Sequence, residues 1–198
     1  MPIVKCRHIP SKTNCDFSFK NAFGVKNSGL IQFFITLDPR IRILIILIKF
    51  WGKIHELTGY NKITNYALVM LIYFYLQRLK EPLLPKISQL QSLVSKPEII
   101  EDWDFRFSQN NLLLPPITNK QSIRELLLGF FEYYASFDWE NKVISLNRGE
   151  IFDRDILTSP ETLPEEFEIL KTYYLSKSDP QIFREGPMSV QVITNIYS

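Results

Sequence analysis

The chain has 198 residues, 45% of them apolar, with two cysteines, two histidines and a formal net charge of +2. Such a composition can bury a real core and excludes global disorder; Cys6, Cys15, His8 and His55 are too few for a disulfide framework or a zinc site of the usual spacing. The start Met1-Pro2-Ile3-Val4-Lys5 lacks signal-peptide form, and the most apolar runs, 43–48 and 67–76, fall well short of the roughly 20 residues of a membrane span, so a cytoplasmic protein without membrane contact is expected.

Ile3-Val4-Lys5-Cys6 and Cys15-Asp16-Phe17-Ser18-Phe19 are short alternating runs around a polar stretch, which predicts a two-strand hairpin with Asp16, Ser18 and Lys20 on one face. Asn27-Ser28 offers a helix cap ahead of Leu30, Ile31, Phe34 and Ile35. Asp38-Pro39 ends that helix and opens the next, 40–55, with proline at its first position. Leu44, Leu47, Ile48 and Trp51 of this second helix are expected to face a core. A third helix, 63–79, is apolar nearly all round and stops at Glu81-Pro82. Residues 86–120 read as irregular or short elements. Ser122 with Glu125 forms a capping box for a helix carrying Leu126, Leu127, Phe130, Phe131 and Tyr134. A turn at Phe137-Asp138-Trp139 and a strand at Val143 to Leu146 follow, then an acidic, proline-punctuated tail with a helix opening at Thr162.

Charge is divided along the chain. Residues 1–80 hold twelve lysines and arginines against three acids, Asp16, Asp38 and Glu56, whereas residues 81–198 hold eleven against eighteen. Phosphate or nucleic-acid contact is therefore to be sought in the first half. There Arg42, Lys49 and Lys53 share one helix face, and two lysines one turn apart can follow the oxygens of a triphosphate; a plain solvated basic stripe would look the same. Tyr66, beside Thr64 and Asn65 at the start of the third helix, is either ordinary core or a ring on which a base stacks. The seven glycines form no phosphate-binding loop, and His8 and His55 sit beside no nucleophile motif.

The order of these blocks carries a resemblance. Pro2-Ile3-Val4-Lys5, Cys15-Asp16-Phe17-Ser18-Phe19-Lys20-Asn21, Val25-Lys26-Asn27-Ser28, Lys49-x-Trp51-x-Lys53 and Thr64-Asn65-Tyr66 together resemble the cytoplasmic-type poly(A) polymerases and terminal uridylyltransferases. Ser122 to Ala135, continuing through Asp138-Trp139, resembles the poly(A)-polymerase-associated segment of the same family. The resemblance implies an α+β fold: residues 1–27 as the end of a nucleotidyltransferase sheet, 28–148 as a helical central domain with the associated segment at about 122–148, and 149–198 as a divergent tail.

It also implies a function, transfer of a nucleotide from UTP or ATP to an RNA 3′ hydroxyl with Mg²⁺ or Mn²⁺. Asp16 then matches the third metal-binding carboxylate, Asn27 the asparagine that reads the ribose 2′-hydroxyl, Lys49 and Lys53 the triphosphate lysines, and Tyr66 the base-stacking aromatic. Asn65 stands where the family has a serine that meets phosphate, and Lys20 where it has asparagine. Near the tail, Asp179-Pro180 is the one candidate for the family's base-reading motif. The family's Gly-Ser turn and Asp-x-Asp pair come before the Pro-Ile-Val segment, so one of three catalytic carboxylates is expected in this sequence. The residues matched by the resemblance are expected to line one cleft. An inactive relative serving as a nucleotide-, RNA- or protein-binding module is the alternative.

Overall fold

The computed structural model describes residues 3–19, 22–58, 62–100 and 103–157. The helix expected at Thr162 and the Asp179-Pro180 motif lie outside them. The architecture is α+β: the described residues form five α-helices around one core and three separate two-stranded antiparallel ladders.

The expected hairpin is present as β1 (Ile3–His8) and β2 (Thr13–Ser18), with Lys5 opposite Asp16 and Cys6 opposite Cys15. Every residue of the pair is exposed except Cys15, which is half-buried. Helix α1 (Ala22–Leu37) starts earlier than Asn27-Ser28 allows, so that pair is not its cap, and Asn27 lies in the second turn. Tertiary packing explains the extension: Phe23 stacks on Phe105 with ring centroids 5.3 Å apart, and that burial rewards continuing the helix backwards past Asn27.

Asp38 separates α1 from α2 (Pro39–Ile54) and caps the second helix, its Oδ1 accepting from the Arg40 amide at 2.8 Å. Arg40 then serves as a clamp. Its guanidinium meets both Asp38 oxygens at 2.9 and 2.7 Å, and also donates to Asn119 Oδ1 and to the carbonyls of Asn119 and Gln121. Asn119 in turn donates to the Glu81 carbonyl. One planar cation thereby joins the α1–α2 corner to a segment about eighty residues away, a task suited to five fixed donors. Burial pushes the Asp38 carboxyl up, but the hydrogen bonds and charge of Arg40 together outweigh it and hold it below the ordinary aspartate range.

Helix α3 (Asn65–Arg78) is the centre of the molecule, with every residue from Leu68 to Gln77 buried. α4 (Ile87–Ser92) follows, then β3 (Ile99–Ile100) paired with β4 (Trp103–Asp104). α5 (Ile123–Ala135) opens on the expected capping box, Ser122 Oγ accepting from the Glu125 amide while the Glu125 carboxylate accepts from the Ser122 amide. Its aromatic face closes over α2 and α3: Phe131 meets Trp51 at 4.6 Å, Phe130 meets Tyr75 at 5.9 Å, and the Tyr134 hydroxyl donates to the Leu71 carbonyl at 2.8 Å.

β5 (Lys142–Ser145) is the expected strand, and it pairs with β6 (Glu150–Asp153), which sequence reading missed. β6 is four residues long with acids at both ends, and its apolar pair, Ile151 and Phe152, sits across from Ile144 and Val143. The usable signal was Gly149, whose φ of 62° makes the tight turn between the strands. Leu47, expected to face the core, is exposed on α2 with Ile43, Ile46, Phe50 and Ile54. No helix among the described residues is long and apolar enough to cross a membrane.

The clamp gives a direct test. Arg40→Ala leaves the Asp38 carboxylate nearly buried and unpaired, so urea denaturation at neutral pH should show a loss of about 3 kcal/mol, which Arg40→Lys restores only in part. A depressed carboxyl stabilises the fold above the ordinary aspartate range, and that stability is lost as pH falls through its folded value. The gap between wild type and Arg40→Ala should therefore narrow in acid.

Candidate functional site

Ile48 and Gly52 on the inner face of α2 are fully or nearly buried, which holds Lys49 and Lys53, one residue after each, at the surface one turn apart. Gly52 suits this arrangement. A Cβ there would stand 3.1 Å from Leu68 Cδ2 and 3.5 Å from Thr58 Cγ2, so its absence lets the start of α3 approach the end of α2.

The intervening turn is tightly determined. The Leu57 amide donates to the Gly52 carbonyl at 2.8 Å and the Glu56 amide to the Lys53 carbonyl at 3.2 Å, with Glu56 left-handed at φ 53°. These are the two bonds of a Schellman cap, here with glutamate where glycine is usual. Thr58 then bridges to Ile63, and Thr64 caps α3, its hydroxyl accepting from the Ala67 amide at 3.0 Å.

This turn and the two helix ends enclose an open cleft of about 470 Å³ lined by Lys49, Phe50, Lys53, Thr58 and Asn65. Two like charges one turn apart stand at its wall, and among the described residues no acid reaches ion-pair distance of either; Glu56, at the rim of the turn, pairs with Lys62 at 3.6 Å. Asn65 is the first residue of α3, so the positive end of that helix dipole also opens on the cleft. Lysine charge and helix terminus thus converge on one point suited to an anion with several oxygens. Arg42, exposed two turns earlier, is not part of the lining. Phe50 and Thr58 are cleft residues that sequence reading missed. Phe50, flanked by Lys49 on an otherwise apolar run and 63% exposed, carried a readable signal in the alternation of aromatic and basic residues; Thr58 carried none.

Asp16, Asn27 and Tyr66 stand outside that lining. Asn27 is half-buried in α1, and its Oδ1 has no hydrogen-bond partner among the described residues. Tyr66 packs its ring against the core, and its hydroxyl is likewise buried without a partner among the described residues; burial pushes that hydroxyl far above the ordinary tyrosine range. Burial pushes the Tyr73 hydroxyl up as well, and that hydroxyl donates at 3.3 Å to the carbonyl of Ile31, one turn beyond Asn27. Asn27 lies on α1 and Tyr66 on α3, two helices that meet where Phe34 packs against Tyr73. Buried polar atoms without partners are uncommon and call for a group to complete them.

Asp16 is exposed on β2, and among the described residues no three His, Cys, Asp or Glu side chains come together as a metal site. A hard divalent cation takes about six oxygen ligands, so this donor set of one carboxylate does not by itself fit a catalytic ion pair.

The model of the family described as Cid1 family poly A polymerase matches residues 122–182, beginning at the capping serine of α5. The zebrafish (Danio rerio) protein named speckle targeted PIP5K1A-regulated poly(A) polymerase is 32% identical over 96% of this chain and 24% of its own length. The chain belongs to the Cid1-type poly(A) polymerase family. Solved members share the fold: mtPAP in complex with GTP superposes with a TM-score of 0.73 at 32% identity, over 77% of this chain and 34% of its own. A mutant Cid1 poly(U) polymerase bound to MgATP gives 0.68 at 27% identity, over 74% and 46%. The chain thus spans about a quarter of this curated relative and less than half of either solved polymerase.

In this poly(A) polymerase relative the unpaired Tyr66 hydroxyl is a stability cost. Tyr66→Phe removes it while keeping the ring, and urea denaturation should show a protein as stable as wild type or more so by up to about 1 kcal/mol. A clear loss would mean the hydroxyl has a partner after all.

Proposed function

We propose that this chain is the nucleotide-holding part of an RNA 3′-terminal nucleotidyltransferase, which moves a nucleotide from UTP or ATP to an RNA 3′ hydroxyl with release of pyrophosphate. One observation carries the reading: Lys49 and Lys53, exposed and free of acid partners among the described residues, share a cleft with Asn65 at the positive end of α3.

In this reading the β- and γ-phosphates lie along the two ammonium groups, with Asn65 donating to a phosphate oxygen in place of a serine hydroxyl. The lysines keep the triphosphate in line and offset the charge that grows on departing pyrophosphate. Asn27 offers its unpaired oxygen to the ribose 2′-hydroxyl, which would let the site distinguish ribonucleotides. Tyr66, its ring held against the core, would be the aromatic on which the base stacks. Asp16 would contribute one ligand to the Mg²⁺ or Mn²⁺ that the resemblance implies. A cytoplasmic setting belongs to the same reading, consistent with two free cysteines.

Calorimetric titration of the 198-residue chain with UTP or ATP tests it. Lys49→Ala and Lys53→Ala should each cost about 1–2 kcal/mol, roughly five- to thirtyfold in Kd, and affinity should fall as salt rises because both groups are exposed. Binding indifferent to both substitutions would remove the reading and favour an interaction module. In the same preparation, an RNA oligonucleotide with each triphosphate and Mg²⁺ or Mn²⁺ should not lengthen, since Asp16 is the single acid on the hairpin.

A further inference from the structure

The two cysteines of this chain face each other. Cys6 on β1 and Cys15 on β2 are direct cross-strand partners, both as free thiols, Cys6 exposed and Cys15 half-buried. Directly opposed residues of an antiparallel pair project to the same side, with Cα atoms about 4.5–5.5 Å apart, inside the roughly 4.4–6.8 Å that a disulfide spans. Val4, His8, Thr13 and Phe17 share that side by the same register, whereas Asp16 and Lys5 lie on the other. Among the described residues the Cys15 sulfur makes one long contact, 3.8 Å, to the Thr13 carbonyl, so little there holds it back from turning to its neighbour.

We propose that Cys6 and Cys15 form a reversible thiol–disulfide site, oxidised by a low-molecular-weight disulfide of the glutathione type. The thiolate of one cysteine attacks a sulfur of the small disulfide, forming a mixed disulfide and expelling one small thiol. The second cysteine's thiolate then attacks the protein sulfur of that mixed disulfide, closing the Cys6–Cys15 bond and expelling the second small thiol. Two protein thiols and one small disulfide thus become one protein disulfide and two small thiols, with no other oxidant.

Position supports reversibility. The hairpin is exposed on both sides, and exposed disulfides belong to the labile, regulatory class rather than the structural one. Lys5, Arg7 and Lys12 outnumber Asp16 on the hairpin, which favours approach of an anionic disulfide such as oxidised glutathione. The consequence falls on Asp16: a bond at Cys15, its chain neighbour, locks the register of the strand that presents it.

Incubation of the full 198-residue chain in reduced and oxidised glutathione mixtures, followed by acid quench and intact mass measurement, tests this. The expected product is a monomer lighter by two hydrogens, restored by reduced glutathione, and digestion should yield one cross-linked peptide joining Cys6 and Cys15. Cys6→Ser should instead accumulate a glutathione adduct on Cys15. Hydrogen exchange of hairpin amides should slow about tenfold on oxidation, while those of α3 stay unchanged. Overturning results are stable glutathione adducts on both cysteines of the wild type, disulfide-linked dimers, or thiols that stay reduced at every ratio.

Discussion

Ten consecutive buried residues in α3, Leu68 to Gln77, impose the main constraint on this protein. A helix apolar on all sides has no face to give to water, so it must be wrapped, and α1, α2 and α5 supply the wrapping. The close contacts follow from that demand. Phe34 packs edge-on against Tyr73 at 4.9 Å, Leu68 reaches the bare backbone of Gly52, and the Tyr75 hydroxyl occupies the space a side chain at Gly129 would need. Once α3 is enclosed, its N-terminus has one place to emerge, beside the last turn of α2, and Asn65 and the two lysines meet there.

Helix α2 has to satisfy two surroundings. Its inner face, Ile41, Leu44, Ile48 and Gly52, belongs to the core, while Ile43, Ile46, Leu47, Phe50 and Ile54 are exposed. Lys49 and Lys53 lie between these faces. Their isolation from acids among the described residues reflects the uneven distribution of charge along the chain, since only Asp16, Asp38 and Glu56 are acidic before residue 81, and Asp38 and Glu56 are engaged by Arg40 and Lys62. Cations left without partners in a concave place keep their field available for a ligand.

The β1–β2 hairpin obeys different rules from the helical core. Its pairing is regular over six residues, yet Ile3, Val4, Phe17 and Phe19 remain about half exposed or more. Backbone hydrogen bonding and register, rather than burial, define it, and that register sets Lys5 opposite Asp16 and Cys6 opposite Cys15.

Local signals written in a few adjacent residues were legible in the sequence: the hairpin alternation, Asp38-Pro39 at the α1–α2 corner, the Ser122–Glu125 capping box, the all-apolar α3 and the four-residue spacing of Lys49 and Lys53. Each depends on a period or a cap that backbone geometry enforces without help from distant residues. Tertiary structure decided what depends on partners far along the chain. Phe105 determined that α1 begins at Ala22 rather than at Asn27, and Val143 and Ile144 gave Ile151 and Phe152 a strand to pair with. The gap at Gly52 brought Asn65 to the lysines and added Phe50 and Thr58 to the cleft. The same packing put the hydroxyl of Tyr66 and the amide oxygen of Asn27 out of water, without partners among the described residues. Periodicity specifies which way a side chain leaves its own helix, but only the packed neighbours determine what it meets there.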